Sequence, residues 1–258
     1  MSFHSGFIAI VGRPNVGKST LMNAFVGEKV AIVSDKPQTT RNRIMGVATG
    51  AEWQMVFLDT PGLHTPRTKL GEYMMKSAND ALEGIDALLV MIDGSACGPQ
   101  DRQIVERMAQ IRSPKALVIN KVDLMTPQTL APLLASLNIE GYDEIIPISA
   151  RRGDSMDKLK ETLIGFLPEG PKYFPDDMIT DQPERLLCAE IIREKALRNL
   201  RDEVPHGIGV EMQRIEKLSD NLTEIHATIY CERESHKRII IGKQGTMLGR
   251  IGSQARED

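Results

Sequence analysis

What this 258-residue chain lacks narrows its identity quickly. The longest unbroken apolar run is Ala87 to Ile92, far short of the roughly 18 residues that span a bilayer, so no transmembrane helix is expected. Met1 to Gly6 carries neither a basic head nor an apolar segment, which argues against a secretory leader and for a cytoplasmic protein. There are only three cysteines, Cys97, Cys188 and Cys231, widely spaced and odd in number; they read as free thiols, with no CxxC pair for zinc or redox chemistry. The five histidines are scattered, and none lies at metal-ligand spacing from another. Excess charge is scarce too, and a net charge of −3 argues against coating of nucleic acid by bulk electrostatics alone. One local absence matters more. From Ser235 to Arg256 there is no Asp or Glu, while Lys237, Arg238, Lys243, Arg250 and Arg256 all fall in that window. It reads either as a phosphate-facing patch or as a solvated helix face.

Up to about residue 167 the chain alternates buried-strand runs with helical spacing. Phe7 to Val11, Gln54 to Leu58, Asp86 to Ile92, Ala116 to Ile119 and Glu144 to Ile148 predict strands, and Arg67 to Leu82, Asp101 to Ile111 and Met156 to Leu167 predict helices. That alternation implies an α/β fold with a mostly parallel sheet covered on both faces. Arg43 to Gly50 precedes the second buried strand with no helix between them, and is expected as an antiparallel edge neighbour. Pro168 to Pro183 holds four prolines and several acids, and marks a boundary. Beyond it the sequence predicts an amphipathic helix over Glu184 to Leu200, pairing Leu187 with Ile191 and Glu190 with Glu194. Two alternating strands around Ile208–Met212 and Ile225–Cys231 follow, turning at Ser219 to Asn221, and then helices at His236 to Ile241 and from about Thr246. The expected division is 1–170, a linker at 171–183, and an α+β domain at 184–258.

Chemistry enters with Gly12, Arg13, Pro14, Asn15, Val16, Gly17, Lys18 and Ser19, followed by Thr20, between the first strand and a helix. Glycines there let backbone N–H groups curl around a phosphate, Lys18 reaches the outer phosphates, and Ser19 offers a hydroxyl to Mg²⁺. Asp59, Thr60, Pro61 and Gly62 form a weaker string, strengthened by ending a buried strand: Asp59 would reach Mg²⁺ through a water, and the Gly62 amide could touch a γ-phosphate. Asn120, Lys121, Val122 and Asp123 end the next strand but one, at the sheet edge where such folds collect ligands. The Asp123 carboxylate can accept from N1–H and the exocyclic amine of guanine, whereas adenine has no donor at either position. Asn120 would brace the loop and Lys121 cover the base. Ser149, Ala150 and Arg151 follow the last strand, where the Ala150 amide could meet guanine O6. These readings stand against bland ones, a Gly-rich turn, a Pro-Gly turn and a capping Asp, and the four sites occurring together disfavour those.

The order of these sites resembles the translation-factor-like small GTPases. That resemblance adds Gln38, Thr39, Thr40 and Arg41, with Thr40 ahead of Thr39 as the Mg²⁺ ligand. More narrowly, GRPNVGKS, the Gln38–Arg41 loop, DTPGLH, the segment YFPDDMITDQPER and the helix AEIIREK together resemble the bacterial Era family over most of the chain. The resemblance implies a GTP-hydrolysing domain followed by a type II KH domain whose GxxG loop is Gly242, Lys243, Gln244 and Gly245, clamping single-stranded RNA with help from Lys237 and Arg238. It further implies a monomer that binds GTP or GDP with Mg²⁺. Its expected partners are small-subunit ribosomal RNA near the 3′ end, the assembling small ribosomal subunit, and the inner membrane face through a peripheral contact. Two departures qualify it. Leu63 stands where Ras-like enzymes place a water-orienting glutamine, so intrinsic hydrolysis is expected to be slow, with Asn15 helping to hold K⁺ near the phosphates. A type II KH fold also needs a further strand after the helix from Thr246, so the domain is expected to be incomplete, with loosened order beyond about residue 235. A nucleotide-dependent RNA-binding module with negligible hydrolysis and a small-molecule kinase remain as rival readings, the second disfavoured by NKVD at a strand end.

Overall fold

The computed structural model describes residues 2–34, 36, 39–40, 42–63, 69–201 and 204–258, with only the backbone of 69–71 and 206. Of the sequence expectations, Gln38, Arg41, His64, Arg67 and Thr68 lie outside the described residues. Among the described residues, no helix is long and apolar enough to cross a membrane. The chain forms two compact units. One comprises Met1–Ala31 and Thr40–Asp181, the other Ile32–Thr39 and Gln182–Asp258.

The first unit contains strands β1 (His4–Val11), β2 (Ile44–Thr49), β3 (Trp53–Asp59), β4 (Ala87–Asp93), β5 (Lys115–Asn120) and β6 (Glu144–Pro147) in one sheet, ordered β2-β3-β1-β4-β5-β6. All pairings are parallel except β2 with β3, which places the antiparallel strand at the edge as its neighbourhood in sequence implied. Helices α1 (Lys18–Val26), α2 (Lys69–Asp80), α3 (Pro99–Ala109), α4 (Pro127–Ser136) and α5 (Met156–Phe166) belong to the same unit. Period-two alternation sorts the strand side chains between two apolar layers. Ile8, Ile10, Phe57, Leu89 and Met91 pack with Leu21 of α1 and Leu163 of α5, while Ala9, Val11, Leu88, Val90 and Ile92 pack with Ile104 and Met108 of α3. Both faces of β4 are covered, which is why its sequence is a continuous apolar run. Burying each large side chain of this kind stabilises the fold by about 1.5–3 kcal/mol. Helix α4 had no counterpart in the sequence reading: Pro127 and Pro132 punctuate it, yet Pro127 is suited to a first helical position, and the Thr129 hydroxyl accepts from the Thr126 N–H.

The proline-rich segment is more than a spacer. The Val47 N–H on the open edge of β2 donates to the Ile179 carbonyl at 2.8 Å, and the Thr180 hydroxyl donates to the Met45 carbonyl at 2.7 Å. Fully buried Gln54 accepts from the N–H groups of Tyr173 and Phe174 and donates to the Phe174 carbonyl. An edge strand that would otherwise offer unpaired backbone groups is thereby covered.

The second unit contains α6 (Glu184–Asn199), the hairpin β7 (Gly209–Ser219) and β8 (Leu222–Tyr230), α7 (Glu234–Ile241) and α8 (Thr246–Glu257). Ala196, Leu200, Val204, Ile208, Ile240 and Ile251 form its core. Beyond residue 235, where loosened order was expected, α7 and α8 are formed and bury Ile240 and Ile251 in that core. The hairpin leaves Leu218, Leu222 and Ile225 exposed. Helix α6 departs from a simple amphipathic helix. Glu194 is wholly buried, accepting from the Val33 N–H at 3.0 Å and from Arg198 at 2.7 Å, and Arg193 is buried beside it, donating to the Thr39 carbonyl.

Candidate nucleotide and RNA sites

In an open parallel sheet, ligands collect where successive strands leave in opposite directions. Here β3 lies on one side of β1 and β4 on the other, so the loop Gly12–Gly17 opens into that crevice. Gly17 caps α1 at φ 106°, and a Cβ there would lie 2.3 Å from Asn120 Nδ2, so only glycine lets the loop close against β5. The Lys18 ammonium donates to the carbonyls of Gly12 at 3.3 Å and Arg13 at 3.0 Å. Burial pulls its pKa below the usual lysine value, with Asp59 acting in the opposite sense.

Beside Lys18 the structure assembles three of the expected oxygen ligands. Ser19 Oγ donates to Asp59 Oδ2 at 2.6 Å and lies 3.1 Å from Thr40 Oγ1. Thr39 is turned elsewhere, its hydroxyl donating to the Lys36 carbonyl at 2.7 Å. Burial pushes the Asp59 pKa up against the opposing effects of Lys18, Ser19 and Thr40, and its Oδ1 is buried with no hydrogen-bond partner among the described residues. An unsatisfied carboxylate oxygen flanked by two hydroxyls fits a hard divalent cation taking oxygen ligands, as Mg²⁺ does. Gly62 is pressed against this loop, since a Cβ on it would meet Pro14 N at 2.4 Å, and the Leu63 N–H donates to the Gly12 carbonyl at 2.9 Å. Thr60 is buried with its hydroxyl on the Ile10 carbonyl, and Pro61 is buried next to it. Asn15 holds a left-handed φ of 65°.

At the other end of the crevice, Asn120 Nδ2 donates to the Val16 carbonyl at 2.8 Å, tying the β5 loop to the phosphate loop. The Ala150 N–H, expected to face guanine O6, donates instead to Asn120 Oδ1 at 2.9 Å. The Ser149 hydroxyl donates to Asp123 Oδ1 at 2.6 Å and orients that carboxylate, while Arg151 is exposed. Lys121 Nζ pairs with Asp93 Oδ2 at 2.6 Å, and Asp93 Oδ1 accepts from the Ser95 N–H and hydroxyl. Those contacts outweigh partial burial and hold the Asp93 carboxyl below its usual pKa. Sequence reasoning missed Asp93, although its position at the end of β4, in register with Asn120, was a usable signal.

In the second unit Gly242–Gly245 turns between α7 and α8. Gly242 has φ 74°, Gln244 51° and Gly245 79°, and the turn delivers the chain to the N-terminus of α8. Lys237, Arg238, Lys243 and Arg250 are exposed around it, as is Ile239. Cations, apolar surface and a glycine-bounded backbone are thus within one stretch, the combination that single-stranded RNA needs for backbone clamping and base contact.

Residues 7–121 match a family described as 50S ribosome-binding GTPase, and residues 203–258 match the KH domain family. The chain is 53% identical over 261 residues to GTPase Era of Alkaliphilus metalliredigens, covering all of this chain and 88% of that protein. It is 53% identical over 260 residues to GTPase Era of Clostridioides difficile, covering 99% and 88%. A crystal structure of Era in complex with MgGDPNP and nucleotides 1506–1542 of 16S ribosomal RNA superposes with a TM-score of 0.92 at 44% identity, covering 99% of this chain and 88% of that one. A variant of Aquifex aeolicus Era bound to GDP·AlF4⁻ superposes equally well at 43% identity and the same coverage. Sheet order, phosphate loop and the appended domain define a phosphate-loop GTPase carrying a KH domain. Within that class, the chain belongs to the Era family of GTPases.

Proposed function

We propose that this chain is a GTP-hydrolysing switch that engages the 3′ end of small-subunit ribosomal RNA and assists small-subunit assembly in the cytoplasm. In this reading residues 1–170 form the GTPase domain, 171–183 the connection and 184–258 the RNA-binding domain. One observation carries the enzymatic half: among the described residues, buried Asp59 Oδ1 has no hydrogen-bond partner beside Ser19 and Thr40. Ser19, Thr40 and, through water, Asp59 would hold Mg²⁺, which supplies charge neutralisation on the β- and γ-phosphates. Lys18 adds its charge to the outer phosphates, the Gly12–Gly17 amides cradle them, and Asp123 selects guanine. The RNA half rests on the Gly242–Gly245 turn with Lys237, Arg238 and Lys243, and on the likeness to Era solved with 16S ribosomal RNA.

Hydrolysis by this chain with and without an RNA bearing the small-subunit 3′ sequence tests the union of the two halves. RNA is expected to raise the GTP turnover rate several-fold, and Lys243→Ala together with Arg238→Ala to remove that stimulation while leaving the RNA-free rate unchanged. Equal turnover with and without RNA would defeat the proposal.

Leu63, only 3% exposed, can neither donate to nor accept from an attacking water, which favours slow intrinsic turnover. Asn15 lies in the loop where a monovalent cation could supply charge in place of a catalytic side chain. Replacing Na⁺ by K⁺ should therefore accelerate single-turnover phosphate release, with Asn15→Ala abolishing the difference. Identical rates in the two salts would remove K⁺ from the mechanism. Phosphate release too slow to follow in either salt would favour a binding module that works without hydrolysis.

A further inference from the structure

The second residue of the phosphate loop turns its side chain away from the crevice. Arg13 Nε donates to Asp101 Oδ1 at 2.7 Å, and its terminal nitrogen donates to the Ala96 carbonyl at 2.8 Å. Asp101 is fully buried in the first turn of α3, and its other oxygen accepts from the Gly98 N–H at 2.8 Å. Both carboxylate oxygens are therefore committed, one to the helix start and one to the loop. The backbone of the same arginine faces the other way, with its carbonyl accepting from Lys18 Nζ at 3.0 Å. A continuous chain of contacts thus runs from α3 through Arg13 to the lysine that meets the phosphates.

An ion pair with one partner buried and the other partly exposed is weak as a source of stability, because desolvation and solvent screening cancel most of its attraction. It is effective at fixing direction. A guanidinium held at two of its nitrogens cannot swivel, and its anchoring limits how far the loop that carries Arg13 can move from α3. The Arg13 pairing fixes the wall of a loop whose use depends on every amide and carbonyl keeping its orientation.

We propose that Asp101 is a positioning residue for the triphosphate: it clamps Arg13, and through the Arg13 backbone it holds the phosphate loop and Lys18 in the binding geometry. This rests on reading that loop as the phosphate cradle. Asp101 touches no nucleotide, so its whole effect on binding runs through Arg13.

The test is a double-mutant cycle on the full chain with Asp101→Asn, Arg13→Gln and the pair, reading Kd for a fluorescent GTP analogue, single-turnover hydrolysis and thermal unfolding. Each single change is expected to weaken nucleotide binding by about 10- to 100-fold, the range for losing an outer-shell support. At saturating nucleotide, hydrolysis by Asp101→Asn should stay within a few-fold of the original. The double variant should bind no worse than the weaker single one, because both remove the same clamp. Arg13→Gln alters a side chain that is 27% exposed, so it keeps the question answerable if Asp101→Asn fails to fold. Multiplying losses in the double variant would overturn the proposal, as would an unchanged Kd in Arg13→Gln. Failure of the unaltered chain to bind the analogue would instead overturn the phosphate-cradle reading, so the two are separable.

Discussion

Replacing Asp123 by alanine is expected to erase the preference for GDP over ADP. In the proposed role, the carboxylate accepts two hydrogen bonds from the guanine edge, and hydrogen bonds to a charged group contribute about 1.5–3 kcal/mol each. Losing both should raise the Kd for GDP by roughly 10²- to 10⁴-fold. ADP has no donor at the matching positions and gains nothing from Asp123, so its weak binding should hardly move. The structure prepares the carboxylate for this task, since the Ser149 hydroxyl occupies Oδ1 at 2.6 Å and fixes the group's direction. Asp123→Asn should go further and invert the choice. A carboxamide presents a donor as well as an acceptor, and so suits a purine with a carbonyl at the 2-position, as xanthine has. Calorimetric titration of GDP, ADP and XDP against the three proteins checks both arms. An unchanged GDP-to-ADP ratio in the alanine variant would end the guanine-reading role.

Where the sequence was informative, the reason was local. The strands of a sheet covered on both faces must be apolar throughout, so β4 announced itself around the run Ala87 to Ile92, and the strand expected over Asp86 to Ile92 is observed one residue on, over Ala87–Asp93. The edge position of β2 followed from connectivity, because two strands joined without a helix can only be antiparallel neighbours. The candidate site was legible for a similar reason: each motif sits at the end of its own strand, and parallel packing carries all those ends to one side. What stayed hidden was pairing between distant segments. Asp101 lies 88 residues from Arg13, and Glu194 lies 161 residues from the Val33 N–H that it accepts. Helical periodicity sorts residues by face but cannot say that a charged face will find buried partners. The bonding of the proline-rich segment to β2 was invisible for the same reason, because proline content reports what a segment cannot form and not what it lies against. Ala150 adds a finer case: its place in the chain was readable, but the donation of its N–H to Asn120 was not.

Lys18→Ala should produce the other large effect, together with a distinctive pH signature. Two charge-assisted hydrogen bonds to phosphate oxygens contribute on the order of 3–6 kcal/mol in total, so GTP affinity should fall by roughly 10²- to 10⁴-fold, with hydrolysis reduced below detection. The sign of the pH effect follows from burial. Desolvation lowers the Lys18 pKa, so the free protein loses the ammonium charge at a lower pH than an exposed lysine would. Phosphates favour the charged form, so nucleotide binding raises that pKa again and, where the pH approaches or exceeds the free-state pKa, draws a proton from solution. By linkage, affinity is greatest below the free-state pKa of Lys18 and declines as pH rises through it, levelling off above the bound-state pKa. Asp59 opposes part of this shift in the free protein, because its carboxylate favours the Lys18 charge. Asp59→Asn should therefore move the decline in affinity to lower pH, whereas Lys18→Ala should remove the lysine's share of the decline. Calorimetry of GDP binding in buffers of different ionisation enthalpy counts the protons taken up. Equal uptake by Lys18→Ala and the unaltered chain would show that the proton goes elsewhere, and would separate the lysine from the phosphate chemistry assigned to it.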